Sequence, residues 1–229
     1  AFSTTQIAGL SSEQIGNLET EDLAALTTAQ IRALGTDDMV ILDSADLGAM
    51  TAEQLGALSD AQVQAIETTD LAALSVTQLA DVSTAFVQAL TTAQVAALTV
   101  SQVKALDATK LNALDTANVV VLGTDRVAAL SATQVGGLNT TQVSTLTTDQ
   151  VGALTATQAK ALTTAQLASL STGAVAVLTT AQVDALTASQ LNALSTSQIG
   201  ALETADVAAI DVYQVAGLST TLVSTLSTG

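Results

Sequence analysis

Residues 90–98 read Leu-Thr-Thr-Ala-Gln-Val-Ala-Ala-Leu, and their reading decides the fold. Thr91 follows an apolar residue and stands three before Gln94. A threonine hydroxyl at that place accepts a hydrogen bond at a helix N-cap, while the glutamine side chain reaches back to the threonine amide, forming a capping box. Leu90, just before the cap, packs on Val95 at the fourth helical position as a hydrophobic staple. Val95 and Leu98 then lie three apart on one helical face. The segment predicts a helix that starts at Thr91 and ends within the octad.

Working outward, the same grammar fills the chain. Leucine or a close substitute returns every eight residues, at Phe2, Leu10, Leu18, Leu26 and Leu34 and on to Leu202, Ile210, Leu218 and Leu226. A second apolar series runs in parallel from Ile7, Ile15, Leu23, Ile31 and Met39 to Val215 and Val223, with Ala159 its one small member. At the cap position (3, 11, 19 and onward) 24 of 29 residues are Ser, Thr, Asp or Asn, the exceptions being Gly35, Gly123, Glu19, Glu67 and Glu203. A short fixed period marks a repeat architecture whose units rest on their neighbours. Each octad predicts about seven helical residues and a cap residue that turns the chain.

Other folds fit less well. In one continuous helix an eight-residue repeat drifts by about 80° per repeat, so the apolar stripe would spiral around the surface. There is no heptad for a coiled coil. A β-solenoid suits the Thr and Val content and is the alternative, but capping boxes have no use in a strand, and Ala, Leu and Gln favour helix. The expectation is an all-α solenoid of short capped helices, one per octad, forming a single uninterrupted domain over 1–229 without terminal caps. Residues 226–229, Leu-Ser-Thr-Gly, open a further octad. The octads 19–26, 43–50 and 67–74 share the pattern acid-x-x-Asp-Leu-x-Ala-Leu/Met at a spacing of 24, which points to three octads per coil, with two per coil as the rival.

Composition narrows the function classes. The chain has 229 residues, 21 acidic against 5 basic side chains, a net charge of -16, and no Pro, Cys, His or Trp. This balance disfavours nucleic acid and anionic membrane surfaces as partners. Despite a mean hydropathy of +0.49, no apolar run approaches the roughly 18 residues of a membrane span. Ala1-Phe2-Ser3 lacks a signal peptide's basic start. Without His or Cys, most nucleophile–base pairs and transition-metal sites are excluded, so no catalytic, cofactor-binding or metal-ligating residue is assigned and no enzymatic activity is expected. The acids Glu19, Glu21, Asp22, Asp37, Asp38, Asp43 and Asp46 carry no EF-hand or calcium nonapeptide spacing.

Variable positions 8, 16, 24 and onward, which hold Arg32, Gln64, Lys104, Asn112, Lys160 and Asp184, predict the solvent face. The residue after each cap is often Thr (Thr4, Thr20, Thr28, Thr92, Thr148, Thr180), giving a lattice of hydroxyls that could match ice or a crystalline polysaccharide. Phe86 stands in a Gln slot and reads either as an outward contact or as local packing.

The octad Leu-Thr-Thr-Ala-Gln-Val-x-Ala-Leu, at 90–98 and 178–186, resembles the low-complexity octapeptide repeats of very large bacterial exoproteins and adhesin-like surface proteins, some of them labelled haem-utilisation-like. The resemblance implies export and an extracellular or cell-surface life. Haem finds no support, with no His or Cys and only two Met to ligate iron. The expected function is a structural subunit of an extracellular filament or surface stalk that assembles with copies of itself, end to end or laterally. The alternative is an adhesin or ice-binding rod working through its Thr lattice.

Overall fold

The computed structural model describes residues 2–226, which form 28 α-helices, numbered α1 (Thr4–Ala8) to α28 (Thr220–Leu226), with no strand among the described residues. The all-α solenoid holds, one short helix to each octad. Residues 227–229, within the octad read at the C-terminal end, lie outside the described residues. The chain divides into two compact units, Ala1–Leu114 and Asp115–Gly229.

The helices are shorter than expected, mostly five or six residues rather than seven. In most octads the closing leucine leaves the helical conformation as well as the cap residue. Leu98 has φ -57° and ψ 138°, and Thr99 has φ -73° and ψ 159°. Two consecutive extended residues make the corner that one residue was expected to make. At the two ends of the octad Val95 N–H donates to the Thr91 carbonyl at 2.9 Å and Leu98 N–H to the Val95 carbonyl at 3.3 Å. Helices this short do not stand alone in water, so their stability comes from what packs on them.

In each unit every helix packs on the helix three places further on, from α1 against α4 (Thr28–Arg32) to α11 (Thr84–Ala89) against α14 (Ala108–Ala113), and from α15 (Thr116–Val121) against α18 (Thr140–Ser144) to α25 (Thr196–Ile199) against α28. Three octads therefore make one coil. The acidic octads stack as their spacing predicted: α3 (Thr20–Ala24) lies on α6 (Ser44–Ala49), and α6 on α9 (Thr68–Ala73).

The two apolar series are the core. The series from Ile7 is buried as far as Ile199, and the leucine series from Leu34 to Leu202. Their ends differ. Leu10, Leu18 and Leu26 in the first coil are half-buried while Ile7, Ile15 and Leu23 beside them are closed. In the last coil Val215 and Val223 are exposed. The leucines of a coil thus pack back on the coil before, and the Ile/Val series packs forward on the coil after.

The glutamine ladder as candidate functional site

The side chain that organises each corner is the glutamine of the capping box. Gln94 belongs to α12 (Thr92–Ala97), and its Oε1 accepts the Thr91 N–H at 2.9 Å, while Thr91 Oγ1 accepts the Gln94 N–H at 3.2 Å. That much the sequence predicted. Its Nε2 does a second job: it donates to the Val63 carbonyl at 2.6 Å and the Ile66 carbonyl at 2.9 Å, in the coil before. Those carbonyls lie at the end of α8 (Asp60–Ala65), where a helix runs short of donors for its last acceptors, although Val63 also accepts the Ile66 N–H at 3.2 Å. One buried amide thereby satisfies the start of its own helix and the end of another.

The arrangement repeats at fixed register. Gln54, Gln62, Gln78 and Gln102 in the first unit donate to carbonyls 28 and 31 residues earlier. Gln158, Gln166, Gln182, Gln198 and Gln214 do so in the second. Gln150 reaches Val119 and Val120, and Gln190 reaches Lys160 and Leu162. A coil of 24 residues plus the four from slot to corner gives the 28. Sequence reasoning missed this role, because a capping box accepts Glu and Gln alike. The signal was present: Gln fills 17 of the 28 slots from Gln6 to Leu222, and Glu fills none. Only the amide carries the donor that the second job needs.

The other slot residues show what replaces it. Phe86 is fully buried, and α11 additionally touches α7 (Ala52–Ala57), so local packing is correct and the outward reading is not. The slot faces inward, and an aromatic there fills space. Lys110 turns to its own cap, pairing with Asp107 at 3.0 Å. Arg126 Nη1 donates to the Leu122 carbonyl at 2.9 Å. Asp38 is buried: one carboxylate oxygen accepts the Gly35 N–H at 2.8 Å, and the other accepts the Ser12 hydroxyl at 2.8 Å from the coil before.

Asp46, Asp70 and Asp206 lie in the same slot. Burial, the largest cause, raises the pKa of each above the ordinary aspartate value, and Asp43, Glu67 and Glu203 add to the rise by charge repulsion. Asp107 is the opposite case: the Lys110 N–H and then its ammonium hold that carboxyl below the usual range. The caps Glu19, Glu67 and Glu203 make no side-chain cap bond, and each stands three before an aspartate in the slot, Asp22, Asp70 and Asp206.

Outward positions fall where expected. Arg32, Gln64, Lys104, Asn112, Lys160 and Asp184 are exposed. With three octads per coil, post-cap residues 24 apart share one side, and in the second unit that side carries Thr124, Thr148, Thr172, Thr196 and Thr220. A cleft of about 330 Å³ opens at the first coil, lined by Phe2, Ile7, Leu10, Leu18 and Leu26 with Asp22 at its edge. Among the described residues no group of three or more acids is arranged to hold a metal ion, and no helix is long and apolar enough to cross a membrane. Asp37 is exposed and Asp38 is engaged as above.

The model of the ALTTAQ repeat matches residues 15–52, 63–100, 127–156, 160–196 and 180–212. The chain belongs to the ALTTAQ repeat family. The six letters stand at residues 25–30, 89–94 and 161–166. In the structure they are the corner itself: Ala and Leu close one helix, Thr caps the next, and Gln ties that corner to the coil before. No curated protein matches this ALTTAQ chain.

Proposed function

We propose that this ALTTAQ protein is a structural subunit of an extracellular bacterial filament or surface stalk, and that stacking of repeats is its working principle. One observation carries the reading. Most coils offer glutamine donors and leucines on one side, and carbonyl acceptors and the Ile/Val series on the other, so such coils are complementary to one another. A second copy presents the same two kinds of face, so coils of separate copies are suited to stack as coils within one copy do. A contact between unlike faces builds a filament when its rotation does not close into a ring. The extracellular setting rests on the resemblance of the octad to repeats of bacterial surface proteins, and immunogold labelling of cells that make the protein tests it.

Assembly is tested by sedimentation and negative-stain microscopy over a range of concentrations. Linear polymers support the reading. A monomer at every concentration overturns self-assembly.

The second reading, an adhesin or ice-binding rod, is favoured by the threonine column of the second unit. Ordinary helix packing would space those hydroxyls by about 8–10 Å. Thermal hysteresis or retention on crystalline polysaccharide, lost in Thr148→Val, Thr172→Val, Thr196→Val, would support it over the structural role.

A further inference from the structure

We propose that this solenoid is an extensible element: under tension it lengthens one coil at a time, and the number of glutamines crossing each joint between coils sets the order in which coils part. The inference goes beyond the structural role above and does not depend on assembly, because it rests on contacts inside one chain. Those contacts are between nearest neighbours. Every pair of helices in extensive contact is three places apart, except α7 with α11, and each such pair joins neighbouring coils. In such an array stability is a sum of the units and the joints between them.

A coil does not stand alone. Most of its helices run to five or six residues, too short to persist in water once the packing on them is lost. A coil that parts from its neighbour therefore unravels instead of swinging away intact. The coil next to it keeps the joint on its own far side, so the loss need not spread.

The joints are graded. Residues 143–166 make one coil, and its three slots hold Gln150, Gln158 and Gln166, all of which donate to carbonyls of 119–142. The next coil, 167–190, sends back two, Gln182 and Gln190, and its third slot holds Ala174, which has no amide to donate. In the first unit, coil 23–46 sends back one glutamine, Gln30 to the Phe2 carbonyl, with Asp38 taking the Ser12 hydroxyl at a second slot. Buried apolar residues line these joints throughout, so the glutamines are what distinguishes one from another. Each buried amide adds hydrogen bonds at a corner that is short of donors.

The length of a step follows from the coil. Drawn out, 24 residues reach about 80 Å, whereas a helix packed on its neighbour takes up about 10 Å, so each coil that opens lengthens the molecule by about 70 Å.

The test is single-molecule stretching of the whole chain in an optical trap. Handles are attached through Thr5→Cys and Thr221→Cys, both exposed positions in a chain that has no other cysteine. The chain should extend in steps of about 70 Å, one coil each. Steps of any other length overturn the proposal, including one release of the whole chain or one for each compact unit. Two variants test the part given to glutamine. Gln158→Leu with Gln166→Leu leaves coil 143–166 one glutamine, and the highest step force should fall to that of the other steps. Ala174→Gln gives coil 167–190 its third, and a second step should appear at the highest force. Step forces unchanged in both variants overturn the order assigned to the coils. The step length is read on the chain with all its glutamines, so it decides the main claim even if neither variant folds.

Discussion

Gln94 is the residue on which the account turns, because its two ends answer to different parts of the chain. Gln94→Glu keeps the acceptor of the capping box and removes the donor to Val63 and Ile66. It also places a buried charge against two carbonyls. Losing a buried donor and gaining an uncompensated charge costs about 2–4 kcal/mol. Thr91→Ala, which removes only the cap, costs about 1 kcal/mol. Urea denaturation of the two variants checks the order, and a Gln94→Glu no worse than Thr91→Ala would reduce the glutamine to a cap. The cap was legible from the sequence because it is local, three residues apart. The link to the coil before was not, because nothing within an octad says which carbonyl will lie 28 residues back. The preference for Gln over Glu was the trace it left.

At the scale of the helix, the octad's start was legible and its stop less so. Ser, Thr and Asp caps announce themselves by side chain, whereas the leucine that leaves the helix at each corner is chosen for burial and carries no sign of its backbone angles. One glycine marks a departure from the regular corner, and another a close approach of two helices. Gly123 has φ +74°, the one positive φ among the described residues, where Leu122 stays helical instead of extended. Gly123→Ala should destabilise the second unit by about 1–2 kcal/mol, the cost of a Cβ in the left-handed region. Gly136 lies in α17 (Ala132–Gly137), where an added Cβ would sit 2.7 Å from the Ala161 carbonyl oxygen of α20 (Ala156–Ala161). Gly136→Ala should force these helices apart at a cost of about 1–3 kcal/mol. Calorimetry reads both effects, and an unchanged Gly136→Ala would mean that the helices do not approach this closely.

At the scale of the molecule, three octads per coil was the weakest of the fold expectations, since it rested on three acidic octads, and Thr91–Leu98 breaks the pattern. The pairing of each helix with the one three places on now carries it. Deleting residues 147–170 removes one coil of 24 from the second unit and leaves every remaining slot opposite its proper corner. Deleting Thr147 alone displaces a cap, a staple and a clamp. The single-residue deletion should lower the melting temperature more than the 24-residue deletion, by about 2–4 kcal/mol in stability. Equal melting temperatures would contradict a fixed phase.

The most direct test of the central claim is a through-hydrogen-bond NMR coupling from glutamine Nε2 to carbonyl carbon, in protein labelled with nitrogen-15 at Gln and carbon-13 at the Ile carbonyl. Three octads per coil with a glutamine ladder predicts correlations of Gln94 with Ile66, 28 residues earlier, and of Gln62 with Ile31, 31 earlier. Absence of both, or a correlation of Gln94 with the Leu74 carbonyl when leucine is labelled instead, would contradict it, the latter placing two octads in each coil.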